Sequence, residues 1–125
     1  MLGNSDIISF KCQVGITTPS DLTLKSNLES LDIGLGFINQ INPIRFTWLQ
    51  SGRQDIGFAA QHLLDVQTTL GVQIPGLVNE TDPDKLGIMT AQLIPILVKA
   101  IKELSQRVTT LELNLPIWFI WFILL

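Results

Sequence analysis

Seven apolar residues towards the C-terminal end, Ile94, Leu97, Ile101, Leu104, Val108, Leu111 and Leu115, recur at alternating spacings of three and four. Such spacing is the a/d seam of a heptad repeat, and it constrains the fold more than any other feature of the chain. It predicts a long helix from Thr90 to about Leu113, with the Thr90 hydroxyl as N-cap. Lys99, Lys102, Glu103, Arg107 and Glu112 fall off the seam, as a solvated face requires. Pro95 sits in the first turns, where a missing N–H is tolerated. The pattern leaves two readings open: a helix packed on its own domain, or a helix that pairs with copies of itself. Ile at 94 and 101 with Leu at 97 and 104 does not fix the number of strands.

With that helix spoken for, a chain of 125 residues has room for one small domain, and one so short gains from an oligomer or a partner. Hydrophobic residues at 46% and charged residues at 15% exclude a disordered, highly charged chain. A net charge of −3 gives no basic footprint, so no nucleic-acid partner is expected. The lone Cys12 excludes an internal disulfide framework and cysteine-rich zinc sites. The lone His62 excludes most histidine metal sites, so neither metal nor cofactor is expected. The phosphate-loop, dinucleotide, zinc-protease and nucleophile-elbow motifs are all missing.

Upstream of the long helix the pattern predicts short elements. Ile7–Ile16 alternates loosely and reads as one strand or an extended arm. Thr17–Asp21 is turn chemistry around Pro19, and Leu22–Leu28 alternates as a strand or extended segment. Asp32–Ile41 fits a short amphipathic helix, ended by Asn42-Pro43. Ile44–Leu49 and Asp55–Phe58 read as a hairpin around Gln50–Arg53. Ala59–Thr69 reads as a second short helix. Residues 70–88 are broken by Gly and Pro, with a short strand expected near Gly76–Asn79. The fold class expected is α+β: short strands and two short helices, then the long C-terminal helix.

The tail Leu115–Leu125, LPIWFIWFILL, is apolar except for Pro116. A spanning helix needs about 20 apolar residues, so this run is too short to cross a bilayer. It reads as an interfacial anchor, part of a membrane segment, a buried end in an oligomer, or an out-of-frame extension.

Candidate chemistry is sparse. Asp82 and Asp84 lie in a proline-containing loop and read as solvated; His62 reads as structural. One further pair is Ser20 and Lys25 in P-S-D-L-T-L-K. A serine hydroxyl is a weak nucleophile and needs a base. A neutral lysine can be that base where burial depresses its charge. A turn serine beside a surface lysine gives the same five-residue spacing, and the spacing alone leaves that reading open.

Four segments, in order, carry a resemblance. Ser20-Asp21-Leu22-Thr23-Leu24-Lys25-Ser26-Asn27-Leu28 resembles the S-D-x-R-x-K-x-N-I opening of the intramolecular chaperone auto-processing domain, the peptidase S74 family of phage tailspikes and tail fibres. Ile38 to Trp48, Asp55 to Gln61 and Leu86 to Leu104 are similar to later stretches of that family. The resemblance covers about Gly15 to Glu112. It implies Ser20 as nucleophile, Lys25 as base, and cleavage between Pro19 and Ser20: a self-cleaving serine endopeptidase, acting once and in cis. It also implies a homotrimer whose coiled coil uses Ile94, Leu97, Ile101, Leu104, Val108 and Leu111. Its partner would be an upstream β-helical stalk of the same polypeptide, on a virion tail fibre or spike assembled in the host cytoplasm.

The domain layout expected is 1–19 as stalk remnant or linker, 20–114 as the chaperone domain, and 115–125 as an apolar tail. Nineteen residues are too few for a stalk, so the sequence reads as part of a longer or altered gene product. Thr23 stands where the family often has arginine, which favours an alternative, a non-cleaving trimerisation cap. The tail favours another, the processing domain of a membrane-tethered regulator.

Overall fold

The structure is a computed structural model, and it describes Ile7 and residues 9–124. It is α+β, with short strands and a long C-terminal helix. The elements in chain order are α1 (Leu35–Ile38), β1 (Ile44–Thr47), β2 (Gln54–Gly57), α2 (Ala60–Leu70), β3 (Val78–Asn79), β4 (Gly87–Ile88), α3 (Leu93–Asn114) and α4 (Ile117–Leu124). Short 3-10 turns cover Leu22–Leu24 and Thr90–Gln92.

The expected hairpin is present, with Ile44 opposite Gly57 and Thr47 opposite Gln54. Ile44 and Phe46 are half-buried while Arg45 and Thr47 are exposed, the alternation that a one-sided sheet demands. The turn is held from outside the ladder. Trp48 packs edge-on against Phe46 with ring centroids 5.0 Å apart, and its indole N–H donates to Asp55 Oδ2 at 3.1 Å. That bond, with the Ile56 backbone N–H and the nearby Arg53 guanidinium, holds the Asp55 carboxyl below the usual carboxylate range.

Helix α2 ends where Gly71 turns left-handed at φ 64°, a conformation that costs glycine little. Just beyond, buried Gln67 organises the next turn: its Oε1 accepts from the Ile74 N–H at 2.8 Å, and its Nε2 donates to the Leu63 carbonyl at 3.3 Å. Gln67→Ala takes away the partner of the Ile74 N–H at a buried residue. It is expected to cost about 1–3 kcal/mol in urea unfolding at fixed chain concentration. His62 is structural: its Nε2 accepts from the Asn42 N–H at 3.1 Å and ties the α1–β1 connection to α2.

The core sits between α1, α2, the 72–77 segment and the start of α3, and comprises Phe37, Leu63, Val66, Ile74, Leu77, Leu93 and Ile96. Docking of α1 on α3 is close. The Leu35 N–H donates to Glu103 Oε1 at 3.3 Å, and a Cβ at Gly34 would run into the Glu103 carboxylate and the Lys99 stem.

Helix α3 carries two apolar stripes. Leu93, Ile96 and Ala100 are buried in the domain, and each precedes a seam residue, Ile94, Leu97 and Ile101, by one position. The seam itself faces outward: Ile94 is 61% exposed and Ile101 64% exposed. From Leu104 to Asn114 every residue is exposed, so half of the helix extends past its own domain.

Several expectations need correction. Thr90 does not cap α3. It lies in the preceding 3-10 turn, and the helix starts at Leu93, the first residue that enters the core. Leu22–Leu28 is not a strand, because Asp21 caps a 3-10 turn within it. Of the two readings of Ile7–Ile16, the arm is the one found: residues 9–16 form no strand, and residues 9–32 are exposed throughout. The tail residues Ile117–Leu124 form a helix on which Ile117, Trp118, Trp121, Phe122, Ile123 and Leu124 are exposed. Among the described residues no single helix is long and apolar enough to cross a membrane. Residues Thr90–Asn114 and Ile117–Leu124 reach that length and apolar composition only when taken together, and they are bent by 119° at their junction.

Candidate functional site

The site begins with a turn. Pro19 keeps Thr18 out of the helical region, so the chain arrives extended. At Asp21 the backbone is extended (φ −64°, ψ 139°) and the side chain folds forward. Its Oδ1 accepts from the Thr23 N–H at 2.8 Å and from the Thr23 hydroxyl at 2.6 Å. Two backbone bonds complete the turn: Leu24 N–H to the Asp21 carbonyl and Lys25 N–H to the Leu22 carbonyl, both 3.1 Å. A short acid followed two residues later by a hydroxyl is a local capping pattern. Here it defeats the alternation of Leu22, Leu24 and Leu28.

That turn brings the two sequence-selected residues together. Lys25 Nζ donates to Ser20 Oγ at 2.6 Å. Both side chains are exposed, as is the Pro19–Ser20 bond between the arm and the turn. The Asp21 carboxyl is held below its usual range, first by the Thr23 hydroxyl and then by the Thr23 N–H. Such an arrangement aligns a hydroxyl with an amine. An amine in its neutral form takes a proton from a bonded hydroxyl, and the freed oxygen attacks an adjacent carbonyl.

The remaining candidates lie elsewhere in other roles. His62 accepts a backbone N–H. Asp82 caps its own loop, with Oδ1 accepting from the Asp84 N–H at 3.0 Å. Cys12 is an exposed free thiol on the arm. The seam residues Ile94, Leu97, Ile101, Leu104, Val108 and Leu111 line one outward face of α3. Sequence reasoning singled out Ser20 and Lys25 but missed Asp21, although the D-x-T spacing was there to be read as a side-chain-capped turn.

Comparison with known proteins agrees with this part of the chain. Residues 20–72 match the family described as chaperone of endosialidase, peptidase S74, and the match begins at Ser20. Two curated relatives are the Long tail fiber protein Gp37 of Enterobacteria phage K3 and that of Enterobacteria phage T2. Each is 30% identical over 90% of this chain, which spans only 9% of the relative's length. No solved structure matches.

Proposed function

We propose, from the match of residues 20–72 to the chaperone-of-endosialidase family, that the chain is the C-terminal intramolecular chaperone of a phage tail fibre, which trimerises, assists folding of an upstream stalk and then cuts itself free. The observation that carries the reading is the 2.6 Å contact between Lys25 Nζ and Ser20 Oγ, at the first residue of the family match.

In this reading Lys25, neutral at the moment of attack, accepts the Ser20 hydroxyl proton. Ser20 Oγ adds to the Pro19 carbonyl carbon. The Pro19–Ser20 C–N bond then breaks, and the proton passes to the departing Ser20 nitrogen. The product is an ester between the Pro19 acyl group and Ser20 Oγ. Water hydrolyses it, leaving a Pro19 carboxylate and a free Ser20 hydroxyl. A neutral lysine needs burial. On the single chain the pair is exposed, so a neighbouring copy or the upstream stalk supplies the cover, and cleavage waits on assembly.

The seam supports the trimer. Val108 is 52% exposed and Leu111 63% exposed on a stretch of α3 whose residues are all exposed, a face that three parallel copies would bury. Holding three C-termini together raises the effective concentration of the stalk strands that must meet in register. The test is Edman sequencing of the large product of the expressed chain. The reading expects a start at Ser20-Asp21-Leu22; a start anywhere else contradicts it.

A further inference from the structure

A serine and a lysine five residues apart do not meet by default. Along an extended strand they would sit roughly 17 Å apart and point to opposite faces. The period of Leu22, Leu24 and Leu28 favours such a strand. What prevents it is the cap: Asp21 Oδ1 takes both the N–H and the hydroxyl of Thr23, and the chain curls through Leu22–Leu24 so that Lys25 comes back to Ser20.

We infer that Asp21 is a positioning residue for the Ser20–Lys25 pair, acting through the Thr23 cap rather than by touching the reacting atoms. The inference rests on the self-cleaving function proposed above. Among the described residues, both side-chain hydrogen bonds of Asp21 go to Thr23, and the one hydrogen bond of Lys25 Nζ goes to Ser20. The role is therefore geometric. Residues 20–32 are exposed throughout, so among the described residues no buried packing holds the turn closed in place of the cap. Thr23 takes on a meaning of its own. Its hydroxyl gives Asp21 a second donor, and the bond is formed within the turn itself.

A cap and a charge are separable by substitution. Asparagine caps as well as aspartate but carries no charge, whereas alanine does neither. Cleavage of the full chain is followed by intact mass for wild type, Asp21→Asn, Asp21→Ala and Thr23→Val. Asp21→Ala is expected to slow cleavage about tenfold, from the usual worth of an N-cap. Asp21→Asn is expected to stay within about threefold of wild type, and Thr23→Val to fall between the two. Equal rates for all four chains overturn the inference. Asp21→Asn slowed as much as Asp21→Ala also overturns it, because charge and not the cap would then be at work.

A second readout does not depend on cleavage. In the uncleavable Ser20→Ala background, amide exchange of Thr23, Leu24 and Lys25 is measured by NMR. Asp21→Ala is expected to speed exchange several-fold at all three amides, and Asp21→Asn to leave it nearly unchanged. If the wild type never cleaves, the proposed function fails, and this exchange pattern alone decides whether Asp21 shapes the turn. Exchange that ignores Asp21→Ala overturns the inference whatever the cleavage result.

Discussion

Lys25→Ala is expected to slow release of residues 1–19 by about a hundredfold to ten-thousandfold, the usual contribution of a positioned general base. The argument is local. The lysine amine lies 2.6 Å from the serine oxygen, and no other titratable side chain of the described residues bonds to that hydroxyl. Lys25→Arg should be no better than alanine, because a guanidinium keeps its proton and cannot take another. The measurement is the fraction of chain processed against time, read by intact mass from a common starting preparation. Lys25→Ala cleaving at the wild-type rate would remove lysine from the mechanism. Lys25→Arg at the wild-type rate would limit its part to hydrogen bonding.

Leu104→Glu together with Val108→Glu is expected to abolish association and, with it, cleavage. Both positions belong to the seam, and both lie on the stretch of α3, Leu104 to Asn114, where every residue is exposed. The core cluster of Phe37, Leu63 and Ile96 includes neither position and should keep its unfolding behaviour. Three copies would bring six carboxylates into one apolar seam, at several kcal/mol for each buried ion. Association should weaken by more than about a thousandfold, seen in sedimentation as a monomer. A folded monomer that still cleaves would separate the chemistry from assembly. A variant that stays trimeric would place the contact between copies elsewhere.

Much of this architecture could be read from the residues. The period-2 run at Ile44–Thr47 and the turn residues after it give the hairpin, because a half-buried strand leaves its alternation in the sequence. Gly71 marks the end of α2 because a left-handed cap favours glycine. The heptad spacing gives α3 and its outward stripe. It does not say which stripe the domain claims. Leu93, Ile96 and Ala100 run one position ahead of the seam, and only the positions of α1 and α2 decide that they are the buried set.

The site was half legible. Ser20 and Lys25 are visible as residue types, and their family resemblance is strong. Their meeting is not visible in a segment whose apolar alternation suggests a strand. The competition is between weak alternation on an exposed arm, where burial contributes nothing, and a carboxylate that satisfies two donors at once. The cap prevails there. Gln67 and Glu103 were also missed. Each is a long polar side chain that bonds backbone N–H groups of another segment, a role that leaves no periodic trace.

The most direct test is the intact mass of the expressed wild-type chain beside Ser20→Ala, with sedimentation of both. The account predicts a 106-residue species, residues 20–125, for wild type, a full-length Ser20→Ala chain, and a trimer in each case. A wild type that stays full length as a trimer would leave only a structural cap. A full-length monomer would contradict both the trimer and the self-processing site.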